Sequence, residues 1–94
     1  MGKRFININP NTLGLTNQTK IISDGEQHYF ILKDRKSRII MKDGFQVLNQ
    51  AEMIRKKNSG AIISLATPAP VCSKTRRFLK KNGINTVSFS DIQI

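Results

Sequence analysis

The chain has 94 residues, of which 16 are Lys or Arg and 6 are Asp or Glu, for a formal net charge of +10. That length allows one domain with a modest core, and no apolar run approaches the roughly 20 residues that span a bilayer. The single cysteine, Cys72, excludes an intrachain disulfide and fits a reducing, cytoplasmic setting.

Residues 3–8 (KRFINI) read as a short first strand. The opening has basic residues but no apolar stretch behind them, so no leader peptide is expected. Asn9-Pro10-Asn11-Thr12 breaks the strand, because proline disfavours helix at the residue before it and asparagine suits turns. Leu13 and Leu15 are expected to anchor the following polar loop to the core.

Residues 19–23 (TKIIS) form a second strand candidate. Asp24-Gly25 is a hairpin signal, since glycine tolerates positive φ. Residues 28–33 (HYFILK) are rich in aromatic and β-branched types and predict a strand. After the polar turn DRKS, residues 38–41 (RIIM) predict another. These last three strands are expected to form an antiparallel meander.

Asp43 and Gln46 have capping-box spacing and predict a helix start. Val47, Leu48, Ala51 and Ile54 share one helical face. Lys56 and Lys57 complement the dipole in the last turn, and Asn58-Ser59-Gly60 ends the helix. Residues 60–67 (GAIISLAT) are a short apolar run expected as a strand buried on both faces, the centre of a parallel arrangement. Pro68 and Pro70 lead into a second helix, with Val71, Cys72, Thr75, Phe78 and Leu79 on its apolar face. Gly83 predicts its C-terminal turn, with Ile84 packing back. Residues 86–89 (TVSF) predict the last strand. The fold class is therefore α/β: one small domain, residues 1–94, with a mixed sheet in which an antiparallel meander is followed by βαβαβ, flanked by two helices.

A charge this lopsided destabilises the compact state by self-repulsion, and a polyanionic partner relieves it. Nucleic acid is the first candidate, with an acidic protein or a second copy of the chain as alternatives; a membrane partner is not expected. A basic surface that serves only solubility is the plainest reading. Lys33, Arg35, Lys36, Arg38 and Lys42 form the densest cluster, suited to phosphates; protection of a sheet edge explains the same residues. Arg76, Arg77, Lys80 and Lys81, with Lys74, offer a second surface or simply a solvated helix face. Of Tyr29 and Phe30, which alternate across a strand, one is expected in the core, while the other either packs in a second layer or stacks on a base.

Other constellations carry less. Cys72 and Arg77 are separated by four residues, where a cysteine phosphatase loop has five, and a buried structural thiol is expected. The one histidine, His28, has no partner with zinc-ligand spacing.

The order of elements from Thr19 onward, with Asp24, then Ile31-Leu32-Lys33, then Gln46 and Gln50 on the next helix, resembles the core of the PD-(D/E)xK superfamily of nucleases. The resemblance implies an Asp and a Glu-x-Lys binding a divalent metal that activates water, with the Lys assisting. Lys33 matches that pattern, and Ile31 stands where the acidic ligand would be. Two expectations follow. One is a non-catalytic nucleic-acid-binding protein without a cofactor. The other is a metal-dependent nuclease using Asp24, Glu26 and Lys33 with Mg²⁺ or Mn²⁺.

Overall fold

The computed structural model describes residues 5–15, 19–25 and 27–89. Five strands, β1 (Ile6–Ile8), β2 (Lys20–Ser23), β3 (His28–Leu32), β4 (Ile62–Ala66) and β5 (Ile84–Val87), form one sheet in sequential order. β1, β2 and β3 are antiparallel neighbours; β3, β4 and β5 are parallel. Helix α1 (Met41–Lys57) joins β3 to β4, and α2 (Ser73–Lys81) joins β4 to β5. The α/β class, the mixed sheet and the two crossover helices are as the sequence predicts.

The first connection is built by asparagine and proline. Asn9 Oδ1 accepts the Asn11 N–H at 3.0 Å, and Pro10–Leu13 turns as a 3-10 helix. Leu13 is buried and Leu15 packs beside it. At the β2–β3 turn, Gly25 takes a φ of 86°, open to glycine and costly to other residues.

The meander is completed by β1, where the sequence predicts residues 38–41. Ile39 makes a single parallel bridge to Val71, and Met41 already belongs to α1. The reason lies in the helix start. Ile40 is extended at the N-cap position, and Asp43, the third helical residue, reaches back to accept the Ile40 N–H at 2.9 Å. Asp43 therefore serves the cap from inside the helix rather than standing before it.

Both helices cover the same sheet face, as two successive crossovers of one hand require when each strand is added on the same side. Between them lies the main core. Ile21, Ile31, Ile63, Leu65 and Ile84 come from the sheet, Val47, Ala51 and Ile54 from α1, and Leu79 from α2. The opposite face holds a smaller cluster of Ile22, Phe30 and Ala66, with Phe5, Leu32, Val87 and Phe89 packed around it. β4 is buried on both faces from Ile63 to Ala66, but Ile62 is 53% exposed at its start.

The lead-in to α2 is longer than the sequence suggests. Cys72 is the N-cap residue, so Pro68 and Pro70 precede the helix instead of occupying its first turn. Val71 bridges to Ile39, and Cys72 is half-buried rather than sealed in the core. After α2, Gly83 has a φ of 78° and its N–H bonds the Lys80 carbonyl at 3.0 Å. β5 starts directly at Ile84, two residues earlier than predicted, because Ile84 is buried opposite Ile63. Among the described residues no helix is long and apolar enough to cross a membrane.

Candidate nucleic-acid interface

The three parallel strands end at one edge of the sheet. The β3–α1 and β4–α2 connections meet there, and in open α/β sheets such an edge is where ligands bind. The two connections are tied together. The Lys33 N–H donates to the Ala66 carbonyl at 2.9 Å, and the Thr67 hydroxyl donates to the Lys33 carbonyl at 2.7 Å. Further on, the Ile39 N–H donates to Pro70 and the Cys72 N–H to Ile39, both at 2.9 Å. Thr67 Oγ1 in turn accepts the Ala69 N–H at 3.1 Å. The loop carrying Lys33, Arg35, Lys36 and Arg38 is thereby held in one place.

Lys33 follows Ile31 by two residues, so alternation puts both on the helix-covered face. Ile31 is sealed in the core, while Lys33 Nζ reaches the rim and donates to Gln46 Oε1 on α1 at 2.9 Å. Burial holds the Lys33 ammonium below its ordinary pKa; Asp43 works against this effect and Arg35 adds to it. Arg35 forms an ion pair with Asp43 and also donates to the Arg38 carbonyl at 3.3 Å. Burial alone would push the Asp43 carboxyl up. The Ile40 N–H and the Arg35 guanidinium, with Lys33 beyond them, outweigh it and hold the group below its ordinary value.

Lys36, Arg38 and Lys42 are exposed around this anchored pair, and Arg76 is exposed in the first turn of α2. Arg76 also lines a cleft with Thr67, Ala69, Pro70, Val71, Thr86, Val87 and Ser88. These cations share the edge at the strands' carboxyl ends. Lys80 and Lys81 do not: they end α2 at the opposite edge, next to the start of β5. Nearby, Arg55 donates to the Asn82 and Gly83 carbonyls at 3.1 and 3.4 Å. Arg77 lies between the two edges on the exposed side of α2.

The acidic residue expected to act with Lys33 is elsewhere. Lys20 pairs with Leu32 and Ser23 with Tyr29, so an antiparallel neighbour of Lys33 comes from the beginning of β2. Asp24 follows the end of β2, where its N–H donates to the His28 carbonyl at 3.3 Å. Lys33 lies five steps of extended chain beyond His28, about 16 Å at the rise of a strand. Asp24 and Lys33 therefore do not converge, and Glu26 lies outside the described residues. Thr19 occupies the place across from Lys33; Gln50 Nε2 approaches its hydroxyl at 3.5 Å. Among the described residues no three His, Cys, Asp or Glu side chains gather as a metal site.

Both aromatic residues of β3 are core residues. Tyr29 packs into the main cluster, its hydroxyl accepting from Asn58 Nδ2 at 3.3 Å, and Phe30 is buried in the smaller one. The exposed aromatic is Phe45, on α1. Sequence periodicity leaves Phe45 off the apolar face, and the proximity of Lys42 was the one signal that it belongs to the basic edge.

No family model and no curated protein matches the chain. Its fold is similar to that of EndoMS in its apo form, with a TM-score of 0.60 and 18% identity. The match covers 73% of this chain and 32% of that one, so the chain spans about a third of the length of EndoMS. The likeness supports the element-order resemblance at the level of fold.

Proposed function

We propose that this domain binds nucleic acid through Lys and Arg contacts to phosphates, without catalysing cleavage. The observation that carries the reading is the gathering of Lys36, Arg38, Lys42 and Arg76 at the carboxyl edge of β3, β4 and β5, around the anchored Lys33 and Arg35. Two hydrogen-bonded connections fix the backbone of that edge, so the ordering left for binding is that of the exposed side chains. The element-order resemblance to nucleases, which the fold likeness supports, favours a nucleic-acid role.

The test is binding to single- and double-stranded DNA and RNA over a series of salt concentrations. Four phosphate contacts predict a slope of log affinity on log salt of about −3.6 for duplex. Neutralising Lys36 and Arg38 together should weaken binding and flatten that slope by about two contacts' worth. Unchanged affinity in the double variant would remove this edge as the interface.

The fold likeness also favours a second reading, a nuclease using Mg²⁺ or Mn²⁺. In the form with Asp24, Glu26 and Lys33 it requires metal-dependent cleavage that disappears in Asp24→Asn. Asp24 stands at the far end of β3 from Lys33, which makes the binding reading the stronger of the two.

A further inference from the structure

Phe45 is 57% exposed, the most open of the large apolar side chains among the described residues. Its position is nevertheless fixed. Its ring meets Phe78 of α2 edge to face, with centroids 5.0 Å apart and planes at 78°. The helices close on each other beside it at Gly44, where an added Cβ would stand 3.0 Å from Thr75 Cγ2 and 3.5 Å from the Phe78 ring. An edge-to-face contact covers only part of a ring, so much of Phe45 remains open to solvent.

Three cations lie one helical turn from the two rings. Lys42 precedes Phe45 by three residues; Lys74 precedes Phe78 by four, and Lys81 follows it by three. Each therefore lies one helical turn from an aromatic ring, and all three are exposed. Toward the carboxyl edge of the sheet, exposed Ile40 leads back to Arg38 and Lys36. Glu52, two turns farther along α1, lines a cleft together with Phe45, Gln46, Leu48 and Asn49, so one carboxylate borders the ring on that side.

This chemistry selects among occupants. Self-association across the patch would set Lys42, Lys74 and Lys81 against their own copies. One Phe with its neighbours also offers far less than the roughly 800 Å² per partner of a stable interface. A nucleobase supplies a flat π-face at the size of the ring, and its flanking phosphates supply the negative charge.

We infer that Phe45, backed by Phe78, is a stacking platform for an unpaired base, with Lys42 and Lys74, at the starts of α1 and α2, taking the adjacent phosphates. The inference rests on the nucleic-acid reading above and adds to it a preference for single strands, since bases stacked within a duplex cannot reach the ring.

The experiment is fluorescence anisotropy with a labelled oligothymidylate and a labelled blunt-ended duplex of equal length. It compares the wild type with Phe45→Ala, Phe45→Trp and Phe45→Leu, each checked for an unchanged melting curve. Phe45→Ala is expected to weaken single-strand binding about tenfold, with duplex binding changed less than about twofold. Phe45→Trp should restore single-strand affinity, and its indole emission should be quenched on binding. Phe45→Leu, apolar but not aromatic, should fail to restore it. Equal loss on both substrates, or full rescue by Leu, would overturn stacking while leaving the phosphate-binding reading intact. No binding of either oligonucleotide at low salt would overturn both. A wild-type dimer that Phe45→Ala dissociates would assign the patch to self-association and overturn the inference.

Discussion

Lys33 Nζ donates to Gln46 Oε1 at 2.9 Å, joining the end of β3 to the first turns of α1. The contact holds a cation at the rim of the sheet, half out of water. Burial lowers its pKa, so the native state releases this proton at lower pH than the unfolded chain does. The unfolded state then binds more protons between the lowered native value and 10.5, and stability should rise with pH across that window. Urea titrations from neutral to alkaline pH should show this rise attenuated in Lys33→Met. A rise of the same size in the variant would assign it to another group.

Asp43 behaves in the opposite direction. Its native pKa lies below the ordinary 3.8, so its contribution is complete above that value and is lost as pH falls through the native one. Asp43→Asn removes the ion pair with Arg35, whose Nε is already buried without a hydrogen-bond partner among the described residues, and weakens the acceptor for the Ile40 N–H. The expected loss at neutral pH is about 1–3 kcal/mol. The variant should also show a shallower fall in stability below pH 3.8, measurable by acid titration of its circular dichroism.

The two basic edges should separate in binding. Lys80 and Lys81 stand at the end of α2 away from Lys36, Arg38 and Lys42. Replacing Lys80 by Gln should lower nucleic-acid affinity only through the general field, by less than about threefold at physiological salt. Lys36→Gln with Arg38→Gln should lower it about tenfold or more. Anisotropy titrations at one salt concentration decide the matter; comparable losses would spread the interface over both edges.

Cys72 is the N-cap residue of α2. The N–H groups of Lys74 and Thr75 lower its thiol pKa; burial acts against this, while the Thr75 hydroxyl and Arg38 add to the lowering. A lower pKa means more thiolate at neutral pH, and thiolate is the reacting form. Alkylation by iodoacetamide at pH 7 should be slowed by Arg38→Gln. Equal rates for the wild type and the variant would show that Arg38 does not act on the thiol.

Gly83 closes α2 with a φ of 78°, a region costly for residues that carry a Cβ. Gly83→Ala should cost about 1 kcal/mol in chemical denaturation. An Ala at exposed Gly60, where φ is ordinary, provides the control: its Cβ would meet only the movable end of the Gln27 side chain.

The elements were largely legible because their signals are local. The apolar spacing of Val47, Ala51 and Ile54 marks α1, the run from Ile63 to Ala66 marks a doubly covered strand, and Gly25 and Gly83 mark turns that need positive φ. Residues 38–41 misled for the same reason. Ile39 and Ile40 have strand propensity, but Asp43 starts the helix early, and only Ile39 finds a backbone partner. Cys72 reads as buried by type and spacing, yet the non-helical segment from Thr67 delays α2 until Ser73 and leaves the thiol half-exposed.

The sequence by itself determined the α/β class, the two crossover helices and the surplus of positive charge. These depend on residue periodicity, turn chemistry and composition, which are carried within short stretches of chain. Only the tertiary structure decided which charges stand together. Strand register put Thr19 rather than Asp24 across from Lys33, and chain direction sent Lys80 and Lys81 to the far edge. The closing of α1 on α2 at Gly44 brought Phe45 against Phe78 with most of its ring outside. Such placements depend on pairings between residues tens of positions apart, and no local pattern encodes them.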